Sequence, residues 1–61
     1  MIEDLIRKRK ALKLSIRQLS RIMGYSTDWL YRVDMGERRV SKEFIKAYSD
    51  ALETYESIIK R

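Results

Sequence analysis

Apolar side chains recur along this chain at helical spacing, and serines and glycines divide the pattern into four segments. Ile2, Leu5, Ile6, Arg9 and Leu12 fall on one side of a first helix over residues 2–13, with Glu3 and Asp4 at its start, where the helix dipole favours acids. Ser15 followed three residues later by Gln18 is a capping box, and Leu14 and Leu19 are placed as its hydrophobic staple. The second helix should run from there to about Met23, and Gly24 supplies the left-handed residue that ends it. Ser26 caps a third helix, with Tyr25 and Leu30 as the staple pair, and Ser41 caps a fourth, with Val40 and Ile45 as the pair. At those two caps Trp29 and Phe44 occupy the box position in place of Glu or Gln.

Residues 42–61 then continue without a breaker. Ile45, Tyr48, Leu52, Tyr55 and Ile59 repeat at alternating steps of three and four, a heptad seam just over two repeats long. Its first half, Ile45, Tyr48 and Leu52, is expected to pack on the other helices. Tyr55, Ile58 and Ile59 lie farther out, facing either a partner chain or a frayed end. The pattern predicts an all-α, compact bundle of four to five helices, one domain over residues 1–61.

The segment between the two glycines, Gly24 and Gly36, has an unusual exterior. At about 100° per residue, Leu30 and Val33 of helix 27–35 share the core side. Asp28, Arg32 and Met35 form the opposite stripe, with Thr27 and Tyr31 beside it. A purely structural helix needs no such set of hydrogen-bonding groups, whereas a helix entering the DNA major groove does. Gly24-Tyr25-Ser26 is a turn short enough to set two helices at a steep angle.

Charge sharpens this picture. Residues 1–40 hold ten Lys/Arg and five Asp/Glu, a net of +5, while residues 41–61 hold four of each. A basic two-thirds joined to a neutral helix suits a surface for a polyanion attached to an assembly element, or else a solvated face kept for solubility. The chain has no cysteine and no histidine, so disulfides and the usual zinc sets are excluded, and no cofactor or metal is expected. No phosphate-cradling loop or general-base constellation can be named, so the reading is not an enzyme. No apolar run approaches the roughly 18 residues of a membrane span, and no signal-peptide pattern is visible. A cytoplasmic location is expected.

The stretch "SIRQLSRIMGYSTDWLYRVDMGERR" resembles the phage-repressor-like (Xre or Cro type) helix-turn-helix family. Ser15, Leu19, Ser20, Gly24, Leu30, Val33, Asp34 and Gly36 carry the likeness, followed by Arg38 and Arg39, and it covers roughly residues 5–52. It implies a lambda-repressor-like DNA-binding domain with the helix-turn-helix at about 15–35 and a long C-terminal helix at about 42–60. Base contacts then fall on Thr27, Asp28 and Arg32, and phosphate contacts on Arg17, Arg38 and Arg39. Tyr31, beside them, is counted with the base contacts, where it and Thr27 would meet a thymine methyl or else a phosphate. Trp29 either fills a gap between the second and third helices or reaches a phosphate with its indole N–H. Arg9 and Asp34 match a structural ion pair of the family. The chain departs from the family at Ile16, which cannot clamp a phosphate, at the bulky Trp29, at the anionic Asp28, and at Val40-Ser41, where proline is common.

The function so implied is a sequence-specific regulator of transcription that binds double-stranded DNA. It would be most simply a repressor, acting as a homodimer on a palindromic operator in a bacterial, phage or plasmid setting. Leu52, Tyr55, Ile58 and Ile59 would join the dimer. The alternative is a protein-interaction module, such as an antitoxin-type binder, using the C-terminal helix.

Overall fold

In the computed structural model, which describes residues 2–60, every serine expected to start a helix does so. Helices α1 (Ile2–Ala11), α2 (Ile16–Met23), α3 (Thr27–Asp34) and α4 (Lys42–Ile59) follow in order, with no strand among the described residues. The bundle therefore has four helices, the lower of the two expected counts. The Ser15–Gln18 box closes both ways: the Gln18 N–H donates to Ser15 Oγ at 3.1 Å and the Ser15 N–H to Gln18 Oε1 at 3.1 Å. Ser26 Oγ accepts from the Trp29 N–H and Ser41 Oγ from the Phe44 N–H, each at 3.1 Å. Side-chain oxygens thus satisfy backbone donors that the first turn of each helix leaves open.

The end of α1 differs from expectation. The helix stops at Ala11, and Lys13 takes the left-handed region at φ 58. The Lys13 N–H returns to the Lys10 carbonyl (3.0 Å) and the Leu14 N–H to the Arg9 carbonyl (3.1 Å), the paired bonds of a Schellman ending. This reversal turns Leu14 into the core, where it is 1% exposed. Glycine is the usual residue at such a position, because a Cβ there crowds the following carbonyl. We expect Lys13→Gly to raise the stability of the domain by about 1 kcal/mol, read from the urea midpoint. A lowered midpoint would show that Lys13 makes a compensating contact.

The core is built from Leu14, Leu19, Leu30, Val33, Phe44, Tyr48, Ala51 and Leu52. Ile2, Leu5, Ile6, Leu12, Ile16 and Tyr55 pack half-buried around it. Tyr48 and Leu52 of the expected seam are buried, each 0% exposed, while Phe44 and Ala51 join them and Ile45 does not. Phe44 is 4% exposed, whereas Ile45 is half-buried and outside the core. The cause is an aromatic cluster. The Phe44 ring meets Tyr25 edge-on at 5.0 Å and Trp29 at 6.4 Å, and lies tilted on Tyr48 at 6.0 Å, arrangements that aromatic quadrupoles favour.

Leu52 packs on the other helices as expected, and this corrects its assignment to a dimer contact. At 0% exposed it is a core residue of the single chain, so it has no surface left for a dimer contact. An 18-residue helix spans about 27 Å. The last α4 residue in the core is Leu52, with Tyr55 half-buried against it, so the final turn of α4 lies beyond the core. Ile58 and Ile59, 56% and 48% exposed, lie on that last turn.

Candidate nucleic-acid interface

Both glycines stand at helix ends in the left-handed region at φ 77. A Cβ built on either would meet nothing within 4 Å, so backbone conformation and not crowding is what calls for glycine there. After α2, the Gly24 N–H donates to the Ser20 carbonyl at 2.8 Å, and the Ser20 hydroxyl donates to the Tyr25 carbonyl at 2.5 Å. Ser20 is thereby a tie across the turn into α3 as well as a small residue on α2. After α3, the Gly36 N–H returns to the Val33 carbonyl and the Glu37 N–H to the Arg32 carbonyl, each at 3.0 Å. These two endings hold α3 to eight residues, and packing holds it in place: Leu30 and Val33 are 1% and 3% exposed.

The opposite side of α3 faces outward. Thr27 and Asp28 are exposed, Tyr31 is 56% and Met35 60% exposed, and Arg32 is half-exposed. An open groove of about 390 Å³ runs between the start of α2 and α3, lined by Ile16, Arg17, Thr27, Asp28 and Tyr31. Arg17 is therefore brought beside three of the four residues assigned to base contact. The fourth, Arg32, donates through Nε to Asp28 Oδ2 at 3.0 Å, one helical turn away.

Trp29 does not carry the role of a phosphate donor. Its indole Nε1 is buried without a hydrogen-bond partner, so the N–H cannot reach an outside anion while the ring stays packed. The ring instead gives its face to Arg38, whose guanidinium carbon lies 5.9 Å from the ring centroid, within reach of a cation–π interaction. Arg38 and Arg39 themselves are exposed in the link between α3 and α4.

Arg9 and Asp34 form the expected ion pair, at 2.5 Å with side chains 8% and 12% exposed. Arg9 does more than the sequence indicated. Its Nη1 donates to the Leu14 carbonyl at 2.7 Å and its Nε to the Tyr48 hydroxyl at 3.1 Å. One guanidinium thus ties the end of α1, the end of α3 and the middle of α4. Burial raises the Tyr48 phenol above its ordinary value of 10.0, the Asp34 carboxylate adds to the rise, and Arg9 opposes it.

Of the residues assigned to a dimer contact, Tyr55 packs half-buried against the core and only Ile58 and Ile59 present open apolar surface. Among the described residues no helix is long and apolar enough to cross a membrane. No family model matches the chain, and no curated protein or solved structure is significantly similar to it.

Proposed function

We propose that this chain is a sequence-specific double-stranded-DNA-binding regulator of transcription, with α2, the Gly24 turn and α3 acting as a helix-turn-helix. The observation that carries this reading is the exterior of α3. Two buried aliphatics hold the helix, while Thr27, Asp28, Tyr31 and Arg32 stand on its open side. A helix of about 10–12 Å diameter enters a major groove roughly 12 Å wide, and side chains from its first turns reach base edges. Arg32 has the chemistry for guanine O6 and N7. Arg17, Arg38 and Arg39 have the charge for phosphates on either side. Repression by occluding a promoter is the simplest outcome, in the cytoplasm of a bacterium or on phage or plasmid DNA.

Selection of bound sequences from a random duplex pool tests the reading directly, and a consensus with two-fold symmetry is the expected result. Arg32→Ala should weaken the selected site by about 1–3 kcal/mol and relax one base position, while Arg38→Ala should weaken all sequences alike. Equal losses from both variants on selected and random DNA would remove base reading from α3.

The exposed Ile58 and Ile59 support a homodimer whose half-sites lie about 34 Å apart. The same two residues favour a second reading, a partner-binding module that docks another protein on the end of α4. Ile58→Glu combined with Ile59→Glu should leave the single protomer folded, since both positions are on its surface, and should remove any dependence of its melting temperature on protein concentration. The double variant should sediment as a monomer and bind single half-sites. A dimer that survives both changes places the interface elsewhere.

A further inference from the structure

Resting on the reading of α3 as the base-facing helix, we propose that Asp28 and Arg32 read DNA as one unit, selecting a guanine with a cytosine in the neighbouring base pair. Arg32 Nε donates to Asp28 Oδ2 at 3.0 Å on the open side of α3. A guanidinium carries five N–H groups in a rigid planar fork. With Nε held by the carboxylate, the edge made by Nε and one Nη is closed to a phosphate. The far edge, made by the two Nη groups, keeps two donors, the geometry that matches guanine O6 and N7. Asp28 is therefore the positioning residue that turns Arg32 end-on to a base.

Asp28 also has a reading role of its own. An ionised carboxylate offers about four acceptor sites, and the Arg32 bond uses one. The partner it fits in the major groove is the N4 amino group of cytosine. Its charge points the same way. Asp28 is the one acid lining the groove beside Arg17, Thr27 and Tyr31, in the part of the chain that carries the whole positive excess. Arg32 answers one acceptor of this anion, and those left over face the phosphates of a wrong sequence without a partner, so they weaken binding there and are satisfied only where a base amino group meets them. A helix-stabilising pair would explain the Asp28–Arg32 bond as well, but would leave base preference untouched.

The test is selection from a random duplex pool with the full chain, its Asp28→Ala variant and its Asp28→Asn variant, each checked for folding by a circular-dichroism melt. The wild type should yield guanine with cytosine in the adjacent pair. Asp28→Ala should lose the cytosine preference by at least about fivefold, broaden the guanine position, and bind random duplex ~2-fold or more tightly than the wild type. Asp28→Asn should exchange the cytosine for adenine, whose N6 and N7 match an amide. A wild-type consensus that either variant leaves intact, or one lacking the guanine–cytosine neighbours, overturns the paired reading while the DNA-binding function stands. A wild type that selects no sequence overturns both.

Discussion

Asp34→Ala is expected to remove about 3–5 kcal/mol of stability, a third or more of the total, because it strands a buried cation on which three helices converge. Arg9 is 6% exposed and divides its donors among Asp34, the Leu14 carbonyl and the Tyr48 hydroxyl. Removing one partner of a buried ion pair typically costs about 3–5 kcal/mol, since the remaining charge keeps its desolvation penalty without its counter-charge. Set against that, a domain of this size has roughly 3–9 kcal/mol in all, at 0.05–0.15 kcal/mol per residue. Arg9→Ala should be as damaging, leaving Asp34 uncompensated and two oxygens without their donor. Asp34→Asn keeps an acceptor for Nη2 and should fall between the wild type and Asp34→Ala. Urea titrations of the three variants give the order. A midpoint for Asp34→Ala within about 1 kcal/mol of the wild type would show that water reaches the guanidinium.

The same cluster sets an alkaline limit. The folded state raises the Tyr48 phenol above 10.0, so it holds this proton more tightly than the unfolded chain does. Its contribution to stability is complete below pH 10 and is lost as pH climbs from there through the folded value. Tyr48→Phe, although destabilised at neutral pH by the unanswered Arg9 Nε–H, should lack this share of the alkaline loss.

A second large effect is expected from salt. On the proposed reading, Arg17, Arg38 and Arg39 would give about three phosphate contacts for each protomer, and a two-fold dimer would double them. Binding that neutralises about six phosphates should weaken roughly 10³-fold between 50 and 200 mM salt, because each contact releases a condensed counterion. A single protomer with three contacts should lose only about 40-fold over that range, so the slope also reports stoichiometry. Docking of a protein on Ile58 and Ile59 involves apolar surface and should barely respond. An affinity for duplex DNA that is flat across the range removes the arginines from the interface, and a flat response with a protein ligand supports the partner-binding reading.

The cation–π contact at Arg38 bears on that measurement. Its guanidinium already rests on Trp29, a packed ring held edge-on by Phe44, and so loses less freedom on meeting a phosphate than a free surface arginine would. Arg39, next along the chain, rests on no such ring among the described residues, and its contribution should be the smaller of the two.

Much of this protein is legible from chemistry local in the chain. Ser15, Ser26 and Ser41 start helices because a side-chain oxygen three residues before an amide is a local fit, settled within one turn. Gly24 and Gly36 end them because only the backbone at those residues is in question. The inward faces of Leu30 and Val33, and with them the outward set of Thr27, Asp28, Tyr31 and Arg32, follow from helical period alone. Tertiary structure decided what period could not. Tyr48 and Leu52 are buried as period indicates, but Phe44 joins them in place of Ile45 through its contacts with Tyr25 and Trp29, rings 19 and 15 positions back in the chain. The fate of the Trp29 N–H and the addition of Leu14 and Tyr48 to Arg9 are also contacts between elements. A helix can be read from its own neighbours along the chain, but which of its sides is buried, and which donors meet which acceptors, is fixed only when the helices pack.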